Sequence, residues 1–187
     1  MRKIFAFEMV SLDGYHETGD RGLDWHHVDA EFADFAAAQL DEADTLLFGR
    51  VTYQMMAEFW PTEAGLQADP EVAKRMNQLS KVVVSRTLTA ADWGPATVIS
   101  ADVAAGLGRL KQQPGRDIAL IGSSALAASL LGDGLVDELR IMVNPVILGA
   151  GRALLAGAHR AELSLSAVRQ FGSGNVLLTY QTSQPAS

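Results

Sequence analysis

The chain contains no cysteine, and it has neither a basic cluster nor a long apolar run. Without cysteine there is no disulfide framework, no thiol nucleophile and no thiolate metal site. A formal net charge of −7, with the 15 Lys and Arg residues scattered, argues against a nucleic-acid partner. No apolar segment approaches the roughly 18 residues that a membrane-spanning helix needs. Glu8 interrupts the start of the chain before an apolar signal segment develops, so we expect a cytoplasmic protein.

The composition is otherwise ordinary for a globular protein. Hydrophobic residues make up 48% of the 187 residues and charged residues 20%, which excludes general disorder. This length suits one compact core better than two. We therefore predict a single domain over residues 1–182, followed by a loose tail at residues 183–187.

Apolar runs alternate with helical patterns along most of the chain. The predicted strands are 3–10, 45–48, 81–85, 96–100 and 117–121, and the predicted helices are 29–42, 50–59, 70–79, 102–112 and 122–131. Three further predicted strands, 136–143, 161–171 and 175–181, follow without helices between them. This order predicts an α/β fold with a mostly parallel sheet, helices on both faces and an antiparallel edge at the C-terminus.

In such a sheet, ligands bind at the carboxyl ends of the strands, where loops lead into helices. Two of these turns place an arginine beside a hydroxyl, and a third has a glycine followed by two serines. The residues concerned are Gly49, Arg50 and Thr52, then Ser85 and Arg86, then Gly122, Ser123 and Ser124. Helix N-termini and guanidinium groups favour a phosphate-bearing ligand. The alternative is that both arginines form surface ion pairs and Thr52 only caps a helix.

Six short motifs occur in order along the chain: Ser-Leu-Asp-Gly at 11–14, Leu-Phe-Gly-Arg-Val-Thr-Tyr at 47–53, Val-Ser-Arg at 84–86, Leu-Ile-Gly-Ser-Ser-Ala at 120–125, Leu-Val-Asp-Glu-Leu-Arg at 135–140 and Pro-Val-Ile-Leu-Gly-Ala-Gly at 145–151. Together they resemble the dihydrofolate reductase superfamily, and most closely the branch of the C-terminal reductase domain of the riboflavin-biosynthesis deaminase-reductase. This resemblance implies a three-layer sandwich around a sheet of about eight strands. It also implies that NADPH reduces a pterin-like or pyrimidine-like ring.

The resemblance also implies site residues. It places Gly49, Arg50 and Thr52 on the cofactor phosphates, Ser85 and Arg86 near the adenosine 2'-phosphate, Gly122, Ser123 and Ser124 at the pyrophosphate, Met9 under the nicotinamide, and Asp13 in the loop over it. Members of the family often have two adjacent glycines where this chain has Gly122 and Ser123. The serine hydroxyl would then substitute for close backbone approach.

The substrate carboxylate is the part of the family pattern that this chain does not reproduce. Dihydrofolate reductases follow a tryptophan with Leu-Pro-x-Asp, whereas Trp25 is followed here by His-His-Val-Asp-Ala-Glu. Glu31 is the first candidate for this carboxylate and Asp29 the second, although Asp29 also suits the role of helix N-cap. Asp13 and Glu31 are the predicted catalytic residues.

The four histidines are scattered, and no metal site is predicted. We expect an NADPH-dependent reductase acting on a small heterocycle of the ribitylamino-uracil or pterin type. The alternative is a protein that binds the nucleotide without turnover. A third possibility is a mainly structural homodimer, and a homodimer is compatible with either of the first two. We expect its interface on exposed C-terminal strands such as residues 138–143.

Overall fold

A computed structural model describes residues 1–182, so the predicted tail at 183–187 lies outside the described residues. The strands are β1 Ile4–Ser11, β2 Tyr15–Glu17, β3 Ala43–Gly49, β4 Ser80–Val84, β5 Ala96–Ile99, β6 Asp117–Ile121, β7 Glu138–Asn144, β8 Arg152–Ala153, β9 Leu163–Gln170 and β10 Val176–Thr182. The helices are α1 Ala30–Asp41, α2 Arg50–Phe59, α3 Glu63–Ala68, α4 Pro70–Gln78, α5 Val103–Gln112 and α6 Ser124–Gly132.

Eight of the strands form one sheet, in the order β5-β4-β3-β6-β1-β7-β10-β9. Every pairing from β5 through β7 is parallel, and β10 and β9 add antiparallel strands at one edge. Helices α5 and α6 cover one face of the sheet, while α1, α2 and α4 cover the other. The mostly parallel sheet with an antiparallel C-terminal edge confirms the predicted fold class.

The helix starts follow from local chemistry. Asp29 caps α1 by accepting a hydrogen bond from the Phe32 amide at 2.8 Å. Asp69 caps α4 in the same way, and Pro70 follows at the first helical position, where its missing N–H costs nothing. Both caps agree with the sequence pattern. For Asp29, the cap is the structural role that the sequence offered as an alternative to catalysis.

Three parts of the fold differ from the prediction. The loop after β1 contains the short strand β2, which pairs antiparallel with the distant strand β8 in a separate two-stranded sheet. We call this sheet the β2–β8 hairpin below, although no turn connects its two strands. Helix α3 lies where no element was expected, because its N-cap Thr62 and one short turn leave little periodic pattern. Strand β7 is not exposed: it lies between β1 and β10, and no residue of it is fully exposed. The exposed C-terminal strand is β9, all eight residues of which face solvent.

Candidate functional site

The turns that the sequence singled out lie along one edge of the sheet. Strands β4, β3, β6 and β1 are neighbours and run parallel, so their carboxyl ends meet there. Helix α2 begins directly after β3, and α6 begins three residues after β6. The predicted anion-binding turns therefore lie side by side.

Two hydrogen bonds hold the central pair of turns together. The Gly49 amide donates to the Ser123 hydroxyl at 3.0 Å, and the Thr52 hydroxyl donates to the Gly122 carbonyl at 3.1 Å. Gly122 has a φ of +62°, a left-handed conformation that glycine adopts without steric cost. Ser124 is also engaged, because its hydroxyl accepts a hydrogen bond from the Leu155 amide at 2.8 Å. The serines and Thr52 thus build the turn itself.

Neither of the two helices that start here has a side-chain cap. Gly49 occupies the N-cap of α2 and has no side chain to offer, and Ser123 at the N-cap of α6 makes no capping hydrogen bond. The first amide groups of a helix need an acceptor, and they carry the positive end of the helix dipole. Two such ends side by side form a site suited to an anion.

The two arginines of this edge are free of ion pairs. Arg50 is exposed and donates to the Gln54 side chain at 2.9 Å, whereas Arg86 is exposed in the turn after β4. Within residues 1–182 neither one lies in a salt bridge with an Asp or Glu. The alternative interpretation as surface ion pairs is thereby removed for the described part of the chain. Both guanidinium groups keep donors for a ligand.

Ser85 shapes the turn that presents Arg86. Its side-chain oxygen accepts hydrogen bonds from the Thr87 amide at 3.2 Å and the Leu88 amide at 2.9 Å. Both bonds use Ser85 as an acceptor, so its hydroxyl proton remains available as a donor. Ser85 itself is 8% exposed, and Arg86 projects from the turn that it holds.

Beyond Phe7 and Ile121, β1 has no paired strand on its β6 side, and we call this unpaired stretch the opening. The register ends at Phe7 and Ile121, and the Phe7 carbonyl still accepts from the Gly122 amide at 3.0 Å. Backbone groups two residues apart in a strand point the same way, so the N–H and C=O of Met9 face this opening. The Met9 side chain packs with Phe7 and Phe32 on the α1 face.

Asp13 ties two turns of the carboxyl edge together. Its carboxylate accepts hydrogen bonds from the Ser11 hydroxyl at 2.7 Å, the Leu148 amide at 3.1 Å and the Gly149 amide at 2.7 Å. These donors, the Ser11 hydroxyl first among them, hold the pKa of Asp13 below its ordinary value. Asp13 is therefore an ionised acceptor near neutral pH and a poor proton donor.

Glu31 makes a similar link on the other side of the opening. It accepts hydrogen bonds from the Gly172 amide at 2.8 Å and the Arg169 guanidinium at 2.9 Å. The Gly172 amide is the main cause of a lowered pKa for Glu31, followed by Arg169. The Glu31 side chain is still 40% exposed, so its carboxylate has room for further donors. The first turn of α1 is thus joined to the turn between β9 and β10.

Two buried asparagines reinforce this link, and the sequence reasoning missed them. The Asn144 carboxamide accepts from the His27 amide at 2.9 Å, and the Asn175 carboxamide donates to the His27 carbonyl at 2.8 Å. Both asparagines are 0% exposed. They fix the backbone of the segment that leads into α1. The sequence signal was only that each asparagine lies at the end of a strand.

Glu8 is the other residue that was missed. It is 2% exposed in the middle of β1, and its Oε1 atom has no hydrogen-bond partner among residues 1–182. Burial, and to a smaller extent the nearby Glu17 carboxylate, raises the pKa of Glu8 to about 8. The available signal was a single acidic residue inside the apolar run Phe-Ala-Phe-Glu-Met-Val.

Two absences hold for the described residues. None of the helices in residues 1–182 is long and apolar enough to cross a membrane. Over the same residues, no group of three or more His, Asp and Glu side chains is arranged to hold a metal ion.

Comparison with known proteins agrees with this architecture. The uncharacterized protein YyaP of Bacillus subtilis is 32% identical over 182 residues, which span 96% of this chain and 94% of YyaP. A pyrimidine reductase-like protein from Corynebacterium diphtheriae has the same fold, with a TM-score of 0.68, 14% identity and coverage of 97% of this chain and 92% of that one. Dihydrofolate reductase from Enterococcus faecalis, complexed with NADP(H), aligns with a TM-score of 0.61 at 13% identity over 97% of this chain and 96% of that one. The model of the RibD C-terminal domain matches residues 2–177, and the chain belongs to this family within the dihydrofolate reductase-like fold.

Proposed function

We propose that the protein is an NADPH-dependent reductase of a small heterocycle, of the pyrimidine precursor or pterin type. The observation that carries this proposal is the pair of helix starts without side-chain caps, held side by side next to Arg50. This arrangement offers a dinucleotide pyrophosphate several backbone amides and one unpaired guanidinium. The family and the fold neighbour that binds NADP(H) support the same assignment.

The phosphate contacts are assigned to the two adjoining turns. In this proposal Arg50 binds phosphate oxygens directly, and the backbone at Gly49 and Gly122 allows close approach. Thr52, Ser123 and Ser124 hold the turns in shape, since their hydroxyls already bond within the protein. The Ser124 hydroxyl proton can be donated to a phosphate, whereas the Ser123 hydroxyl already donates to the Ile121 carbonyl at 3.5 Å.

The turn after β4 is assigned to the end of the dinucleotide that distinguishes NADPH from NADH. Arg86 lies exposed there, and the Ser85 oxygen fixes the turn through two amide bonds. A bidentate guanidinium contact to the 2'-phosphate would favour NADPH.

The opening beside Met9 is assigned to the nicotinamide, where the Met9 N–H and C=O can bind its carboxamide. When bound, the cofactor supplies the hydride. The substrate ring would then lie on the α1 side, near Met9 and the partly buried Phe32. The protein positions both rings and excludes water from them.

The two acidic residues of the site are assigned orienting roles. General acids work best with a pKa near the working pH. Asp13 and Glu31 both have lowered pKa values, so neither suits proton donation. Glu31 has exposed carboxylate surface with which to accept N–H groups of the substrate, while Asp13 holds the loop beside the nicotinamide. Proton delivery is then assigned to a water molecule that these carboxylates orient.

A cytoplasmic homodimer completes the proposal. Strand β9 is an edge strand, and its apolar side chains Leu165 and Val168 are 55% and 58% exposed. A second copy that covers β9 would remove this exposed edge. Strand β7, which the sequence suggested for the interface, lies inside the sheet and is only partly exposed, so β9 is the better candidate.

Titration calorimetry with NADPH and NADH tests the nucleotide assignment. We expect NADPH to bind at least about tenfold more tightly, the low end of what one charge-assisted contact contributes. The Arg86→Ala variant should lose that preference, whereas the Arg160→Ala variant should keep it, because Arg160 is exposed and pairs with Glu162. Equal affinities of the wild type for both nucleotides would refute the assignment.

Turnover separates the reductase from the alternative, a protein that binds the nucleotide without reaction. NADPH oxidation is measured at equal protein concentrations with pyrimidine, pterin and other imine or carbonyl compounds as substrates. Oxidation that depends on one ring class identifies the reductase. Tight NADPH binding without oxidation in any class favours the binding protein.

A further inference from the structure

The Glu8 carboxyl lies beneath the β2–β8 hairpin without a compensating partner. Its side chain is on the face of β1 that carries Ala6 and Val10, which belong to the apolar cluster under α6. Within residues 1–182, no salt bridge or side-chain hydrogen bond involves Glu8, and Oε1 is fully enclosed. A carboxyl in this setting is stable only when it is neutral.

The hairpin supplies the nearest charges. Glu17 acts on Glu8 as a like charge, and Glu17 itself pairs with Arg152 of β8 across a 3.3 Å contact. His16 lies 4.0 Å from the Glu17 carboxylate. Burial is the main cause of a lowered pKa for His16, so its ring is neutral at the pH where Glu8 would ionise. Of these groups only Glu17 acts on Glu8, and the cation Arg152 is already paired with Glu17.

The other elements around Glu8 are apolar and firmly packed. Helix α6 contains no charged residue, and its Ala127 and Leu130 are buried. Ile141 of β7 lies directly beside Glu8 in the sheet. An ionised Glu8 would therefore meet no cation from α6 or from its neighbour in the sheet.

The hairpin is the weakest part of this cover. Strands β2 and β8 have three and two residues, and they form a sheet of their own. Gly151 packs against the Glu17 carbonyl, which leaves no room for a side chain at that position. Small units with few paired residues open at low free-energy cost. Moving the hairpin is thus the easiest way to bring water to an ionised Glu8.

We propose that Glu8 is a proton switch for the β2–β8 hairpin, which lies closed while Glu8 is protonated and opens when Glu8 ionises beside Glu17. The switch uses no covalent step and needs only the exchange of one proton with solvent. It follows from the enclosed Oε1 atom of Glu8, the like charge of Glu17 and the small size of the hairpin that carries Glu17.

The switch bears on the candidate site and in that respect rests on the proposed function. The hairpin follows the turn that contains Asp13, and the Gly14 carbonyl accepts from the Leu154 amide just after β8, at 2.9 Å. Glu8 also directly precedes Met9, whose backbone faces the opening for the nicotinamide. A closed hairpin would therefore favour a bound nucleotide, and NADPH affinity should fall as Glu8 ionises.

The primary test uses the ligand-free protein, so it does not depend on the proposed function. Carbon-detected NMR follows the Glu8 carboxyl carbon and the backbone carbonyl carbons of Glu17 and Ala153 between pH 6 and 9.5. We expect Glu8 to titrate with a pKa of about 8, and both hairpin carbons to shift with the same midpoint. In Glu8→Gln the hairpin carbons should not shift over this range.

Two further variants sharpen the test. Glu17→Gln removes the like charge and should lower the Glu8 midpoint, whereas Glu162→Gln changes an exposed carboxylate and should leave it unaltered. A Glu8 midpoint near 4.5 would overturn the proposal. So would a midpoint near 8 with unchanged hairpin carbons, or hairpin shifts that persist in Glu8→Gln. If the switch is confirmed but NADPH does not bind, only the proposed function fails.

Discussion

The Gly49 amide donates a hydrogen bond to the Ser123 hydroxyl across 3.0 Å, and this one contact joins the starts of two helices. Gly49 ends β3 and is the N-cap of α2, while Ser123 is the N-cap of α6. Because the Ser123 hydroxyl oxygen accepts from the neighbouring turn, it does not cap the first amides of its own helix. The bond therefore fixes the distance between two positive helix ends.

Removing this bond should weaken both the turn and the nucleotide site. Ser123→Ala leaves the Gly49 amide without its acceptor, which we expect to cost about 1–3 kcal/mol in the free energy of unfolding. NADPH affinity should also fall, since the helix ends lose their fixed spacing. Urea denaturation and calorimetry measure the two effects. The control is Ser129→Ala, on the exposed side of α6, and an equal loss in that variant would contradict the prediction.

Arg50→Ala should affect the ligand and spare the fold. Arg50 is exposed and has no carboxylate partner within residues 1–182, so the melting temperature of the ligand-free variant should stay near that of the wild type. NADPH affinity should fall by about one to two decades, the worth of a charge-assisted contact. Arg109→Ala is the matched control, because Arg109 is exposed in the last turn of α5, at the opposite edge of the sheet. A stability loss with unchanged affinity would make Arg50 a structural residue.

Asp13→Asn should loosen the loop that Asp13 holds. Its pKa is lowered by the Ser11 hydroxyl and by the Leu148 and Gly149 amides, so its stabilising effect is present above the ordinary value of 3.8. That effect is lost as the pH falls through the lowered pKa. In wild type the loop amides of Leu148 and Gly149 should lose hydrogen-exchange protection in this acid range. In Asp13→Asn they should be less protected already at pH 7, and unchanged protection there would show that these bonds contribute nothing.

Glu8→Gln should change how stability depends on pH. The folded protein keeps a proton on Glu8 up to a pKa of about 8, whereas the unfolded chain releases it near 4.5. Wild-type stability should therefore fall between these values, by about 1.4 kcal/mol per pH unit. The free energy of unfolding of Glu8→Gln should lack this slope. Relative to the wild type, the variant should therefore become more stable as the pH rises. Urea denaturation at pH 5, 6, 7 and 8 measures it, and parallel curves for both proteins would contradict the prediction.

The sequence predicted the main sheet because its signals are local. Apolar runs mark the buried strands, caps such as Asp29 and Asp69 mark helix starts, and parallel strands bring their following turns to one edge. That geometry predicted Arg50 and Ser123 at the same edge of the sheet, and the strand order of the structure makes their turns neighbours. The helix spacing and the N-cap chemistry needed no tertiary information.

The sequence could not predict what depends on distant partners. Glu31 bonds to the Gly172 amide 141 positions away, and Asp13 bonds to the Gly149 amide 136 positions away. The three residues of β2 carry no pattern until β8 pairs with them. The alternation within β1 placed Glu8 on one face of the strand, but the burial of that face depends on the hairpin and α6.

The central position of β1 has a consequence for the order in which the protein forms. β1 is synthesised before the other strands of this chain, yet its partners β6 and β7 begin only at Asp117 and Glu138. Loops of this length must close before β1 gains either neighbour, and such non-local topology slows folding. On the ribosome, the apolar residues of β1 therefore wait without a neighbouring strand until more than half of the chain has emerged. Chaperone dependence and early aggregation should accordingly track the synthesis of β6 and β7.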